Sequence, residues 1–155
     1  MNKRRQQVLC IGVGNEFRGD DALGLMVARQ LATRQIPELV LDEQSGEGAA
    51  LLQAWSGWDN VIIVDAISSG NAPGTIFRLD AHQQTIPTDF FVYSSHAFSV
   101  AEAIEMGRVL GQLPTRLIVY GVEGARFDHG TGVSSVVEAA IPELIARIEA
   151  EITGL

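Results

Sequence analysis

The chain has 155 residues, with 19 acidic against 11 basic side chains, a formal charge of −8, and 46% hydrophobic residues. This length and composition describe one unit spanning 1–155 with a core of its own, and they exclude a disordered chain. Lys3, Arg4 and Arg5 crowd the first five positions, so the remaining body is too acidic for generic nucleic-acid binding.

Along the chain, the apolar run Val8–Val13 ends in Gly12-Val13-Gly14-Asn15, which reads as a buried strand entering a tight loop. A helix is expected from Asp20-Asp21 to about Arg34, with Leu23, Val27 and Leu31 recurring every four residues and the paired acids at its positive end. Leu39–Leu41 reads as a short strand and Ala49–Trp55 as a short helix after the glycine-bearing Ser45-Gly46-Glu47-Gly48. Asn60–Ala66 is the clearest buried strand, β-branched and stopped by Asp65. A turn at Asn71-Ala72-Pro73-Gly74 precedes a strand over Thr75–Leu79, and Ala81–Ser95 is polar and irregular. A helix is expected over Ala97–Leu110, with Val100, Ile104, Gly107 and Leu110 on one face, then a buried strand over Leu117–Val122. The last helix carries Val137, Ile141, Leu144, Ile148 and Ile152 on one stripe, with Pro142 either kinking it or marking its start. Alternating apolar strands and amphipathic helices predict a three-layer α/β/α sandwich with a largely parallel, mixed central sheet. Ligands of such sheets bind outside the carboxyl ends of the strands, so the loops after Val13 and from Asp65 should matter most.

The scarce residues narrow the chemistry. Lys3 is the only lysine, which excludes a P-loop and argues against Schiff-base catalysis. Cys10 is the only cysteine, so there is no intrachain disulfide and no cysteine-rich metal site, and its apolar setting reads as a buried, inert thiol. No apolar run approaches the length of a membrane span. The short apolar stretch near the N-terminus has no small-residue cleavage site, so the expectation is a cytoplasmic protein without a signal peptide. Gly12-Val13-Gly14 resembles a dinucleotide fingerprint, but Phe17 stands where its third glycine is needed.

What remains is a set of carboxylates and histidines. In a parallel sheet, Asp20, Asp21 and Asp65 reach the same edge, and His96 precedes a helix close to it. Two carboxylates and one imidazole would give three ligands with an open position, the pattern of a working metal site. Plainer roles are open for each residue. Asp20 could cap its helix while Asp21 complements the dipole. Asp65 could cap a turn at Ser68 or Ser69. His96 could be an ordinary loop residue, as His82 and His129 read, and Glu16 could be solvated. Ser135 to Glu138 fits a capping box, and Trp55 and Trp58 read as packing residues.

Gly12-Val13-Gly14-Asn15 followed by Asp20-Asp21 and Gly24 resembles the opening motif of the nickel–iron hydrogenase maturation proteases. Three further blocks follow in the family's order over nearly the whole chain: Ile63-Val64-Asp65-Ala66 with Pro73-Gly74-Thr75, then Ser94-Ser95-His96, then Tyr120-Gly121-Val122-Glu123. The resemblance implies an aspartic-type endopeptidase that trims the C-terminal extension of a hydrogenase large-subunit precursor after nickel insertion. It implies the α/β/α fold, and it maps a metal-engaging trio onto Asp21, Asp65 and His96. The nickel would arrive with the substrate rather than reside in the enzyme, and Asp20 or Glu43 would be an assisting base. Asp21 stands where some members have glutamate. Glu43-Gln44-Ser45-Gly46 stands where the family often has an Asp-Gly-Gly-Thr-like stretch. The alternatives are a non-catalytic chaperone or binding module for the precursor, and a small metal-dependent hydrolase of another substrate.

Overall fold

The computed structural model describes residues 7–91 and 96–154. Five strands, β1 (Val8–Val13), β2 (Leu39–Gln44), β3 (Asn60–Ile67), β4 (Ile76–Asp80) and β5 (Arg116–Glu123), form one sheet in the order β2-β1-β3-β5-β4. Pairings among β2, β1, β3 and β5 are parallel, and β4 joins β5 antiparallel at the edge. The sheet is therefore mixed and largely parallel, as the sequence predicts.

Side-chain alternation along the strands builds two cores. Leu9, Ile11, Val13, Val61 and Ile63 pack under helices α2 (Gly48–Trp55) and α3 (Val100–Val109). On the other face, Cys10, Ile62, Val64, Ile118 and Tyr120 pack under α1 (Leu23–Thr33) and α4 (Ser135–Thr153). Both faces are covered, which explains why β1, β3 and β5 read as near-continuous apolar runs. After β1 the chain moves to β2 on one side, whereas β3 lies on the other. The crevice outside the carboxyl ends of β1 and β3 is thus a topological switch point, the usual ligand position in such folds.

Several local expectations are corrected. Asp65 does not stop β3, because Ala66 and Ile67 continue the ladder against Val122 and Glu123. The first helix begins as a 3-10 turn over Gly19–Ala22, and its N-cap position, Arg18, makes no side-chain cap bond. Leu110 leaves the buried face: it is the C-cap of α3 and is 55% exposed. The capping box forms at Ser99 and Glu102 of α3, whereas the N-cap of α4 is Ser134 with no side-chain bond to its own helix. Pro142 lies inside α4, and the apolar stripe stays buried on both sides of it. Ser94 and Ser95 lie outside the described residues.

Candidate active site

Glycines decide how closely the first loop meets the strand ends. A Cβ on Gly24 would stand 2.3 Å from the Val13 carbonyl oxygen and 2.4 Å from that of Val64, so only glycine lets α1 sit on β1 and β3. A Cβ on Gly14 would stand 1.9 Å from the Asp21 carbonyl oxygen. These approaches bring the 3-10 turn, and with it Asp21, to the end of β3. The Asn15 backbone N–H then donates to Asp21 Oδ2 at 3.0 Å, and the Asn15 side chain accepts from the Phe17 N–H at 2.9 Å.

Asp21 and Asp65 line one small cavity with Val13, Ser45, Gly46 and Phe127. Its volume of about 20 Å³ holds roughly one water molecule or ion. Asp65 is 6% exposed and its Oδ1 has no hydrogen-bond partner among the described residues. Burial, and then the negative charge of Asp21, push the Asp65 carboxyl well above the ordinary range. Burial also raises Asp21, against the opposing pull of the Asn15 N–H and the Arg18 charge. Two carboxylates so placed cannot both stay ionised unless a proton or a cation joins them. An orphaned buried oxygen, an acid pair and one-ion space fit a small divalent cation, and an imidazole would complete a borderline donor set.

The imidazole stands at one remove. His96 Nε2 lies 3.1 Å from Ser45 Oγ, and Ser45 lines the cavity. The structure thus brings Asp21 and Asp65 together and places His96 one hydroxyl away. Among the described residues no three His, Cys, Asp or Glu side chains form a group closed enough to hold a metal ion.

The two assisting candidates are occupied elsewhere. Asp20 is fully buried and accepts from the backbone N–H of Ala125 (2.7 Å), Arg126 (3.0 Å) and Ser134 (2.6 Å) and from Ser134 Oγ (2.9 Å). It neither caps its own helix nor faces the cavity; it pins the loop between β5 and α4. Glu43, on the edge strand β2, is held by the Arg29 guanidinium through contacts of 2.9 and 3.2 Å, and Glu16 shares that arginine at 3.5 Å. Asp65 does not cap the Ser68–Ser69 turn either. That role belongs to Glu123, 2% exposed, which accepts from the Ser69 N–H (2.9 Å), Ser69 Oγ (2.6 Å) and the Gly70 N–H (3.1 Å). Sequence reading named Glu123 only within the late-strand block and gave it no role; the signal in the sequence was an acid closing the apolar run Leu117–Val122. His82 is exposed, its Nε2 2.7 Å from the Pro114 carbonyl oxygen, and His129 is exposed. Cys10 is completely buried, which pushes its thiol up to about 12 and leaves it inert.

An acid pair thus lines a one-ion cavity at the switch point of a mixed α/β sandwich. Comparison with known proteins names the class. Residues 26–151 match the hydrogenase maturation protease family model. The hydrogenase 2 maturation protease of Escherichia coli (strain K12) is 32% identical over 92% of this chain and 88% of its own. A putative hydrogenase maturation protease of Methanocaldococcus jannaschii is 30% identical over 96% of this chain and 98% of its own. Among solved structures, the hydrogenase maturating endopeptidase HybD from Escherichia coli superposes with a TM-score of 0.79 at 25% identity, covering 96% of this chain and 93% of its own. The chain belongs to the hydrogenase maturation protease family, and it is an endopeptidase. No helix among the described residues is long and apolar enough to cross a membrane.

Proposed function

We propose that this endopeptidase removes the C-terminal extension of a hydrogenase large-subunit precursor, and that Asp21, Asp65 and His96 engage a nickel ion brought by that substrate. The observation that carries this reading is the acid pair. Asp65 presents a buried oxygen that has no partner among the described residues, beside Asp21 in a space for one ion, which in the free protein stabilises a proton there and in the complex favours a cation. A nickel ion would supply Lewis-acid polarisation and a fixed point against which the scissile bond is placed. The chain's own residues do the rest. Asn15 orients Asp21 through its backbone N–H, burial keeps Asp65 out of bulk water, and the Asp21–Asp65 pair can accept the proton of the attacking water. Because a loaded precursor completes the site, an unloaded one lacks that binding energy, which is selection by assembly.

Intact-mass analysis of a matched precursor, with and without nickel, tests the reading. Loss of a C-terminal peptide only from the loaded precursor is expected, with Asp65→Asn and His96→Ala slowing it at least about 100-fold. Cleavage irrespective of nickel removes the metal-engaging role and keeps the protease. Wild-type rates in both variants remove the trio.

A further inference from the structure

The cavity, the neighbouring loop and the β2–α2 turn together raise a question about His96: its Nε2 contacts Ser45 Oγ rather than either carboxylate. We infer that Ser45 holds His96 away from the Asp21–Asp65 pair in the substrate-free protein, so that the trio closes only when a metal-bearing substrate arrives. This inference rests on the proposed metal-engaging role of the trio.

Both ends of the contact are anchored, so it is not a chance meeting of two surface side chains. Ser45 follows the last residue of β2, whose Gln44 carbonyl accepts from the Gly14 N–H at 3.0 Å, and Gly46 turns the chain with φ +95°. On the other side, the Phe98 carbonyl accepts from the Gly48 N–H at 2.8 Å, and the Phe98 ring lies against Gly48. Two backbone bonds therefore fix the β2–α2 turn to β1 and to the His96 loop. The carboxylate of Glu47, engaged by the Ala49 and Ala50 N–H groups at 2.9 Å, adds a fixed negative charge that also acts on His96. Whichever tautomer His96 adopts, the Nε2 position is used: either its lone pair accepts from Ser45, or its N–H donates to it. A metal that needs Nε2 must displace the serine. A single neutral hydrogen bond is weak enough for coordination to break and strong enough to bias the free protein.

The consequence is a protein that binds a free ion poorly although it owns a suitable donor set. It also gives Ser45 a positioning role.

Titration of the intact protein with Ni²⁺ alone tests this by calorimetry, in wild type, Ser45→Ala, Ser45→Thr and His96→Ala, with circular dichroism to verify folding. Ser45→Ala is expected to bind Ni²⁺ roughly two- to tenfold more tightly than wild type. Ser45→Thr, which keeps the hydroxyl, should match wild type. The ¹⁵N resonance of His96 Nε2 should shift in Ser45→Ala and not in Ser45→Thr, a change that general loosening would not produce selectively. An unaltered Nε2 resonance in Ser45→Ala, or a Ni²⁺ affinity at or below that of wild type, overturns the inference. If His96→Ala still weakens Ni²⁺ binding in that case, the trio reading survives without the serine. If adding His96→Ala to Ser45→Ala leaves the Ni²⁺ affinity of Ser45→Ala unchanged, the released imidazole is no ligand, and the trio reading falls and the inference with it.

Discussion

The two ends of the sheet treat buried acids in opposite ways. At the amino ends of the strands, Glu151 of α4 has a side chain only 9% exposed, and it is met by Arg78, Arg116 and the Tyr120 hydroxyl. Burial alone would raise this carboxyl, but the bonds from Arg78 and Tyr120 hold it below its ordinary value. At the carboxyl ends, Asp65 is as deeply buried, meets another acid, and has one oxygen without a partner among the described residues. One end closes its charge within the chain, and the other leaves room for something from outside. Asp20 sharpens the contrast, since it neighbours Asp21 in sequence and is fully satisfied by backbone donors. A satisfied acid stabilises; an unsatisfied one is poised to act.

Removing the satisfied acids should therefore cost stability, and removing the unsatisfied one should not. The largest effect is expected for Asp20→Ala, which strands three backbone N–H groups and the Ser134 hydroxyl in the interior. A loss on the order of 3 kcal/mol is expected, or a melting temperature lower by roughly 6–12 °C in a scanning calorimeter. A loss below about 1 kcal/mol would mean that the loop between β5 and α4 is not held by Asp20.

Glu151→Ala comes next, at about 1–3 kcal/mol, because Arg78 and Arg116 are partly solvated and recover hydration. Urea unfolding measures it. Precursor processing per folded molecule should not change, since the acid pair lies at the far end of the sheet.

The smallest effect has the opposite sign. The Asp65 carboxyl is raised in the folded protein, so its contribution is fully present below the unfolded value near 3.9 and is lost as pH rises through the folded one. At neutral pH its ionisation therefore opposes folding, and Asp65→Asn should unfold about 1 kcal/mol less easily, with the gain vanishing below about pH 4. Melting temperatures of the two proteins across pH 3–8 measure this, and equal temperatures at pH 7 would count against an uncompensated acid pair. Stability gained together with processing lost would mark Asp65 as an acid kept for function.

Much of the fold was legible locally. The stripe Val137, Ile141, Leu144, Ile148 and Ile152 and the run Val61–Val64 carry their periods in the sequence, and both are buried as read. Gly14 was legible as a loop residue, whereas Gly12 and Gly24, read with it as loop residues, lie inside β1 and α1; that Gly14 and Gly24 admit Asp21 to the end of β3 shows only in three dimensions. The misreadings share one cause. Asp20, Asp65 and Ser135 were each given a partner a few residues away, whereas Asp20 bonds across 105 to 114 residues and Ser69 bonds across 54 to Glu123.

The sequence by itself determined the alternation of strands and helices, the two apolar faces of the sheet, the family, and the acids and histidine worth watching. Periodicity and turn chemistry are properties of neighbouring residues, and they survive in a one-dimensional reading. Only the tertiary structure decided which of two adjacent aspartates is spent on backbone donors and which faces the cavity. It alone decided that Glu123 rather than Asp65 ties the Ser69 turn, and that His96 meets Ser45 across 51 residues. The partner of a buried polar group is whatever folding brings to it, because burial forces each such group to find a donor, an acceptor or a charge wherever the packed chain supplies one.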